Sequence, residues 1–356
     1  MVNIVVRRIN STDMPAELAR AVQPILRQWE AAVVRVAQAH GTNHQFAAGS
    51  QEALLQQRFT KLPKEIKDLS QRRANEALTR RTFTDRTAAT LGVDVTDLKA
   101  DLASAQLAIP ASVDQARAMV QTKLFLKNVG LDPAALPAGP QPQNAPTKLT
   151  LRMQRLVCVD ETNAVWPWGE RGQDEIHIGG AILDTDQTSS AIPDFNCGKY
   201  DDTTRHDFQP FKDLATVSLA NKTFPRAYFA SFVLVEVDNG GMQGVVKAIV
   251  DKLASEAKNH LSAWLAALAA GVGGALGGPA GAVLGLVVAW LVDKLVAKIA
   301  SWWGDDPFTP ATIMATFPNA GADFNGKKTM PSEVLRFRGP GEYAMRYDWT
   351  LGSGLH

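Results

Sequence analysis

LSAWLAALAAGVGGALGGPAGAVLGLVVAWLV, residues 261–292, contains no charged side chain. A run of this length passes the threshold for one membrane-spanning helix. Its centre, Gly277-Gly278-Pro279-Ala280-Gly281, argues against a single straight span. A proline flanked by three glycines is a poor helix centre and a good turn. The stretch therefore reads as a helical hairpin bent near Gly278. Lys258 and Lys298 lie equally far on either side of the bend. At about 1.5 Å per residue each arm would be roughly 30 Å long, near the thickness of a bilayer's hydrocarbon core.

The flanks extend the pattern. Val245, Val246, Ile249, Val250 and Leu253 open an amphipathic helix that runs into the apolar arm through Leu261, Trp264, Leu265 and Leu268. The second arm carries Val283, Leu284, Val287, Val288, Leu291, Leu295 and Ile299 to Trp302-Trp303, and Asp305-Asp306-Pro307 ends it. Trp264 and Trp290 are nearly symmetric about the bend, and tryptophan favours the membrane–water boundary. Asp293 and Lys294 shorten the uncharged part of the second arm. Gly273, Gly277, Gly281 and Gly285 recur every four residues. Small residues at that spacing form a glycine zipper, which lets helix backbones approach closely in lipid.

Further out, the period of the apolar residues changes. Leu18, Val22, Ile25, Trp29, Val33 and Val36 recur at three- and four-residue intervals after Ser11, Thr12, Asp13 and Pro15, which marks a helix. Further helices are expected over 51–81 with a break at Pro63, over 94–107 and over 112–129, with a short strand at 3–8. Prolines 133, 137, 140, 142 and 146 then remove amide donors and fix φ, so neither helix nor sheet continues there. Beyond them Leu149–Gln154 and Tyr343–Leu351 alternate, as do shorter runs at 175–182, 215–219, 227–237, 311–317 and 333–338. The expected architecture is α+β. An α-helical domain (1–130) and a Pro-rich linker (131–147) precede an antiparallel β-sandwich (148–356), which the hairpin at 243–304 interrupts.

Composition bounds the function. The chain has 356 residues, is 46% hydrophobic and 21% charged, and carries a net charge of +1. The first 150 residues lean basic and the rest acidic, without a basic run interleaved with aromatics, so no nucleic-acid partner is expected. No charged start followed by an apolar run marks a cleavable signal peptide. The expectation is a soluble form exported by another route to a target membrane. Cys158 and Cys197 suffice for one disulfide at most, and two separate thiols are the simpler reading.

Three groups of side chains have the residue types of a chemical site. Asp160, Glu161, Asp174 and Asp201 lie in loops of the expected sandwich and form a candidate calcium site, since calcium takes carboxylates from neighbouring loops. That arrangement resembles the calcium-dependent lipid-binding sandwich of C2 type in architecture alone. His40 and His44 lack the glutamate of a zinc-protease helix, and Cys197 with His206 is the remaining nucleophile pair. No catalytic residue is assigned.

The overall plan resembles bacterial pore-forming toxins and toxic effectors that keep an apolar hairpin folded against a soluble body, a resemblance carried by residues 243–304. It implies a non-enzymatic, membrane-permeabilising protein that meets a lipid membrane and assembles as a homo-oligomer. The membrane-inserting set would be Leu261, Trp264, Leu265, Leu268, Gly273, Gly277, Gly281, Gly285, Val287, Trp290 and Leu291. The alternative is a non-enzymatic binding or structural protein, or secretion-system cargo, in which the hairpin is only buried core. A hydrolase without a visible site is the third reading.

Overall fold

The computed structural model describes residues 3–10, 13–76, 122, 126, 145–161, 174–236, 245–270, 279–303, 308–339 and 341–352. The strands are β1 (Val5–Ile9), β2 (Lys148–Asp160), β3 (Asp174–Asp184), β4 (Ser189–Tyr200), β5 (Arg205–Ser218), β6 (Arg226–Glu236), β7 (Ala311–Phe317), β8 (Glu333–Arg338) and β9 (Glu342–Gly352). The helices are α1 (Ala16–Gln38), α2 (Gln51–Phe59), α3 (Val246–His260), α4 (Ser262–Ala270) and α5 (Pro279–Trp303). A sixth helical stretch covers 64–76.

The strands form two antiparallel sheets, one of five strands in the order β1-β7-β6-β3-β4 and one of four in the order β5-β2-β9-β8. Period-two alternation sends Leu149, Leu151, Met153, Leu156 and Cys158 of β2 inward, opposite Tyr343, Met345, Tyr347, Trp349 and Leu351 of β9. These meet Tyr228, Ala230, Phe232 and Leu234 of β6 and Ile313, Ala315 and Phe317 of β7 in one core between the sheets. The outer face of the four-stranded sheet is polar. Thr150 pairs with Thr216 at 2.9 Å, and Arg152 grips Asp348 through two hydrogen bonds of 2.8 and 2.9 Å.

The five-stranded sheet is covered on both faces. The other side of β6 sends Ala227, Phe229, Val233 and Val235 into a second core, with Ala181 and Leu183 of β3 and Met314 of β7. Helices fill the rest of that core. The order through the molecule is therefore helices, five-stranded sheet, four-stranded sheet. Strands buried on both faces read as nearly continuous apolar runs, and Tyr228–Val235 is such a run.

The N-terminal segment belongs to this body. β1 pairs with β7 along its whole length, with Ile9 opposite Thr312. α1 buries Leu18, Ala21, Val22, Ile25, Leu26, Trp29, Ala32, Val33, Val36 and Ala37, the stripe its periodicity predicts, in the same core as α5. The helix begins after Pro15 without a side-chain cap; Asp13, just before it, accepts from Arg7 at 2.6 Å and from the Asn10 amide at 2.7 Å. The break expected at Pro63 falls between α2 and the 64–76 stretch. The helices expected over 94–107 and 112–129 lie outside the described residues, apart from Thr122 and Leu126. So does the proline-rich segment as far as residue 144.

Candidate functional site

α3, α4 and α5 connect β6 to β7, which are direct neighbours in the sheet. The apolar helices are thus an excursion between two adjacent strands, folded back over the face those strands present. Among the described residues, the core between the two sheets draws on none from the three helices.

α5 contains a stretch, Ala280–Ile299, long and apolar enough to cross a membrane, and 78% of its apolar window is buried inside the protein. Every position from Ala280 to Ala289 is buried. One side of the helix meets β6 and β3, and α1 covers another. A helical stretch that is hydrophobic all round belongs in a protein core or a membrane, and over residues 280–289 protein surrounds it.

The structure brings together most of the residues the sequence singles out. Leu261, Trp264, Leu265, Val287 and Leu291 are buried in the helical core, and Trp290 packs against it partly exposed. Leu268 lies within α4. Gly273 and Gly277 fall outside the described residues, so the four-residue glycine repeat is visible only at Gly281 and Gly285. Both of these point at the sheet. A methyl group on Gly281 would lie 2.1 Å from the backbone oxygen of Thr185, at the β3–β4 turn. One on Gly285 would lie 2.2 Å from the Phe229 ring of β6. These glycines let α5 approach the sheet at a distance no other residue permits.

Polar contacts tie the helices to each other. Trp29 of α1 donates its indole N–H to Glu256 of α3 at 2.7 Å, and Gln51 of α2 donates to both oxygens of the same carboxylate at 2.9 and 3.0 Å. His260 of α3 donates Nε2–H to the Ala21 carbonyl at 2.9 Å, and Lys252 reaches the Gly49 carbonyl at 3.0 Å. Among the described residues the buried Trp264 indole N–H has no hydrogen-bond partner, and neither has the Gln38 side-chain amide nitrogen of α1.

Beneath the N-terminus of α5, the β3–β4 turn holds a charge cluster that sequence reading missed. Arg226, fully buried at the start of β6, donates Nη2–H to Asp186 at 2.5 Å and to Asp184 at 3.3 Å. Lys222 contacts the same two carboxylates at 3.3 and 3.4 Å. Burial pushes Asp186 up, but the Arg226 and Lys222 hydrogen bonds and charges outweigh it and hold the carboxyl below its ordinary value. No motif or period marks Asp184 and Asp186 in the sequence. Only the cross-strand pairing of β3 with β6 shows their partner.

The candidate calcium residues are dispersed among protein contacts. Asp174 is buried and accepts the Tyr343 hydroxyl at 2.9 Å, and Asp160 lies opposite Glu342 in the ladder. The Glu161 amide donates to Asp202 at 2.8 Å. Burial first, then the charges of Asp202, Asp174 and Asp201, raise the Glu161 carboxyl above its ordinary value. These acids share one end of the molecule. Among the described residues no group of three or more His, Cys, Asp or Glu is placed to hold a metal.

Cys158 and Cys197 are separate buried thiols. Burial pushes the Cys158 thiol up to about 11 and raises Cys197 as well, the reverse of an activated nucleophile. His206 directs Nδ1 at the Cys197 carbonyl, 2.9 Å away. His40 contacts Asp68 at 3.1 Å, and His177 contacts Asp194 at 2.8 Å. Comparison with protein-family models, curated proteins and solved structures finds no match to this chain.

Proposed function

We propose that this chain is a non-enzymatic interaction protein, a β-sandwich stiffened on one face by helices, in which the apolar hairpin is a core element. The observation that carries this reading is the fit of Gly281 and Gly285 against Thr185 and Phe229. In a helix made for lipid, small residues at four-residue spacing meet another helix. Here they meet a sheet, and α5 is keyed to it at two successive turns. The surrounding burial and the Glu256 contacts across three helices point the same way. Function on this reading lies at the surface of a rigid body. The test is dye release from vesicles of neutral and anionic composition at pH 5 and 7, with and without calcium. The chain is expected to leave them intact; leakage at stoichiometric protein contradicts the reading.

A second reading, a membrane-permeabilising protein that stows its hairpin, is favoured by two observations. The core between the sheets is complete without α3–α5, so the helices can leave and a folded sandwich remains. The buried indole N–H of Trp264 lacks an acceptor that a headgroup region would supply. On that reading Trp264→Phe stabilises the soluble form, since it removes an orphaned donor, and slows leakage.

A further inference from the structure

The outer face of the four-stranded sheet carries an all-arginine cluster at the end near Val159. Cross-strand pairing sets Asp207, Arg155, Arg346 and Val334 in one row across the sheet, and Arg205, Val157, Ala344 and Arg336 in the next. Arg338 follows on the edge strand β8. Two carboxylates serve four of these arginines. Asp207 accepts from Arg155 at 2.5 Å and from Arg205 at 2.6 Å. Glu342 is shared by Arg336 and by Arg338, the latter at 3.3 Å. Arg346, exposed between the two groups, has no carboxylate partner among the described residues. Five guanidiniums against three carboxylates, since Asp160 stands opposite Glu342 in the next row, leave an excess of positive charge on a patch about 15 Å across, at roughly 4.8 Å per strand. Among the described residues, the exposed Val334 (58%) stands beside Arg346 on this face, Val159 (45%) lies at its rim, and Phe211 (37%) lies further along the same sheet.

We propose that this face is a docking surface for an acidic protein segment. Charge complementarity requires an anionic partner, and the residue types narrow the class. All five cations are arginine, whose planar fork matches a carboxylate in two-point contact and which is enriched where proteins meet. Attraction to an anionic bilayer would be served equally by lysine. Single-stranded nucleic acid would call for a row of open aromatic platforms; the exposed ring on this sheet, Phe211, is covered by the Arg152 guanidinium 5.3 Å from its centroid, and Val334 stands in the arginine rows. The placement also disfavours lipid. The face is turned away from the helical layer, so a bilayer docked on it would lie about two 10 Å layers from α5. The proposal rests on the interaction-protein reading, and it names the partner that reading leaves open.

The test is fluorescence anisotropy of a labelled decapeptide of alternating glutamate and valine, titrated with the whole chain at 50 and 150 mM salt. Saturable binding is expected, weaker at the higher salt. Arg346→Glu should reduce affinity about tenfold, and Arg346→Lys should reduce it less. The control Arg20→Glu, on the exposed side of α1, should leave it unchanged. Arg346 is exposed and makes no ion pair, so its variants are expected to melt with the parent chain. No saturable binding overturns the proposal, as does equal loss in the Arg20 control. Tighter binding of an oligonucleotide of equal charge, or of phosphatidylserine vesicles, also overturns it. Failure of the underlying reading shows separately, as vesicle leakage.

Discussion

At the scale of single residues, Gly281 and Gly285 separate core helix from membrane helix by the sign of one substitution. In an isolated helix, glycine to alanine stabilises by about 1 kcal/mol, because alanine loses less conformational freedom on folding. In this protein the added methyl meets a backbone carbonyl at 281 and an aromatic ring at 285, neither of which yields easily. Gly281→Ala and Gly285→Ala are each expected to destabilise by about 1–3 kcal/mol in urea unfolding, the usual cost of overpacking. Stabilisation by either would mean that α5 does not bear on the sheet as described. Arg226 gives a second residue-level test. Its removal leaves the buried Asp184 carboxylate with only the more distant Lys222 to balance it, and Arg226→Met is expected to cost about 3 kcal/mol. The same cluster fixes an acid dependence. The Asp186 carboxyl lies below its ordinary value of 3.8 when folded, so its contribution is present above that pH and is lost as pH falls through the folded value. Thermal unfolding followed from pH 5 to pH 2 should show this loss, and Arg226→Met should flatten it.

At the scale of elements, the helical layer is held by burial and tuned by Glu256. Truncation to alanine strands the Trp29 indole N–H and the Gln51 amide together. Glu256→Ala is therefore expected to cost about 1–3 kcal/mol, and Glu256→Gln less, because one acceptor oxygen remains. Equal stability of the two variants and the parent would show that α1, α2 and α3 are joined by apolar packing alone. Much of this layer was legible in the sequence. The α1 stripe from Leu18 to Val36, the break at Pro63 and the amphipathic start of α3 all follow from 3.6-residue periodicity. β2 and β9 were legible from alternation. β4 and most of β5 were not. They are edge strands, exposed on much of both faces, and they carry Pro193 and Pro210, so no period-two pattern marks them. The direction in which Gly281 and Gly285 point was also hidden. Their spacing is the same whether they face a second helix or a sheet, and only the register of α5 over β6 decides it.

At the scale of the whole molecule, the two cores divide the labour. The one between the sheets draws on β2 and β9, whose alternation is legible in the sequence, and also on β4 and β5, whose alternation for the most part is not. The other needs β1 and α1 from the N-terminus, α3–α5 from the excursion, and the back of the five-stranded sheet. Sequence reading assigned the N-terminal helices and the hairpin to separate units, because the proline-rich stretch falls between them and contacts across it leave no local trace. A fragment of residues 145–356 lacks the strand that pairs with β7 and the helix that covers α5. It is expected to aggregate, or to lose its near-ultraviolet circular dichroism. A soluble, cooperatively melting fragment would show that the C-terminal part stands alone. The most direct test of α5 as a fixed core element is hydrogen exchange of its backbone amides, with and without anionic vesicles. The amides of residues 283–296 are expected to be among the slowest in the chain and unchanged by lipid. Their rapid exchange in solution, or a change of protection confined to α3–α5 when vesicles are added, would contradict it.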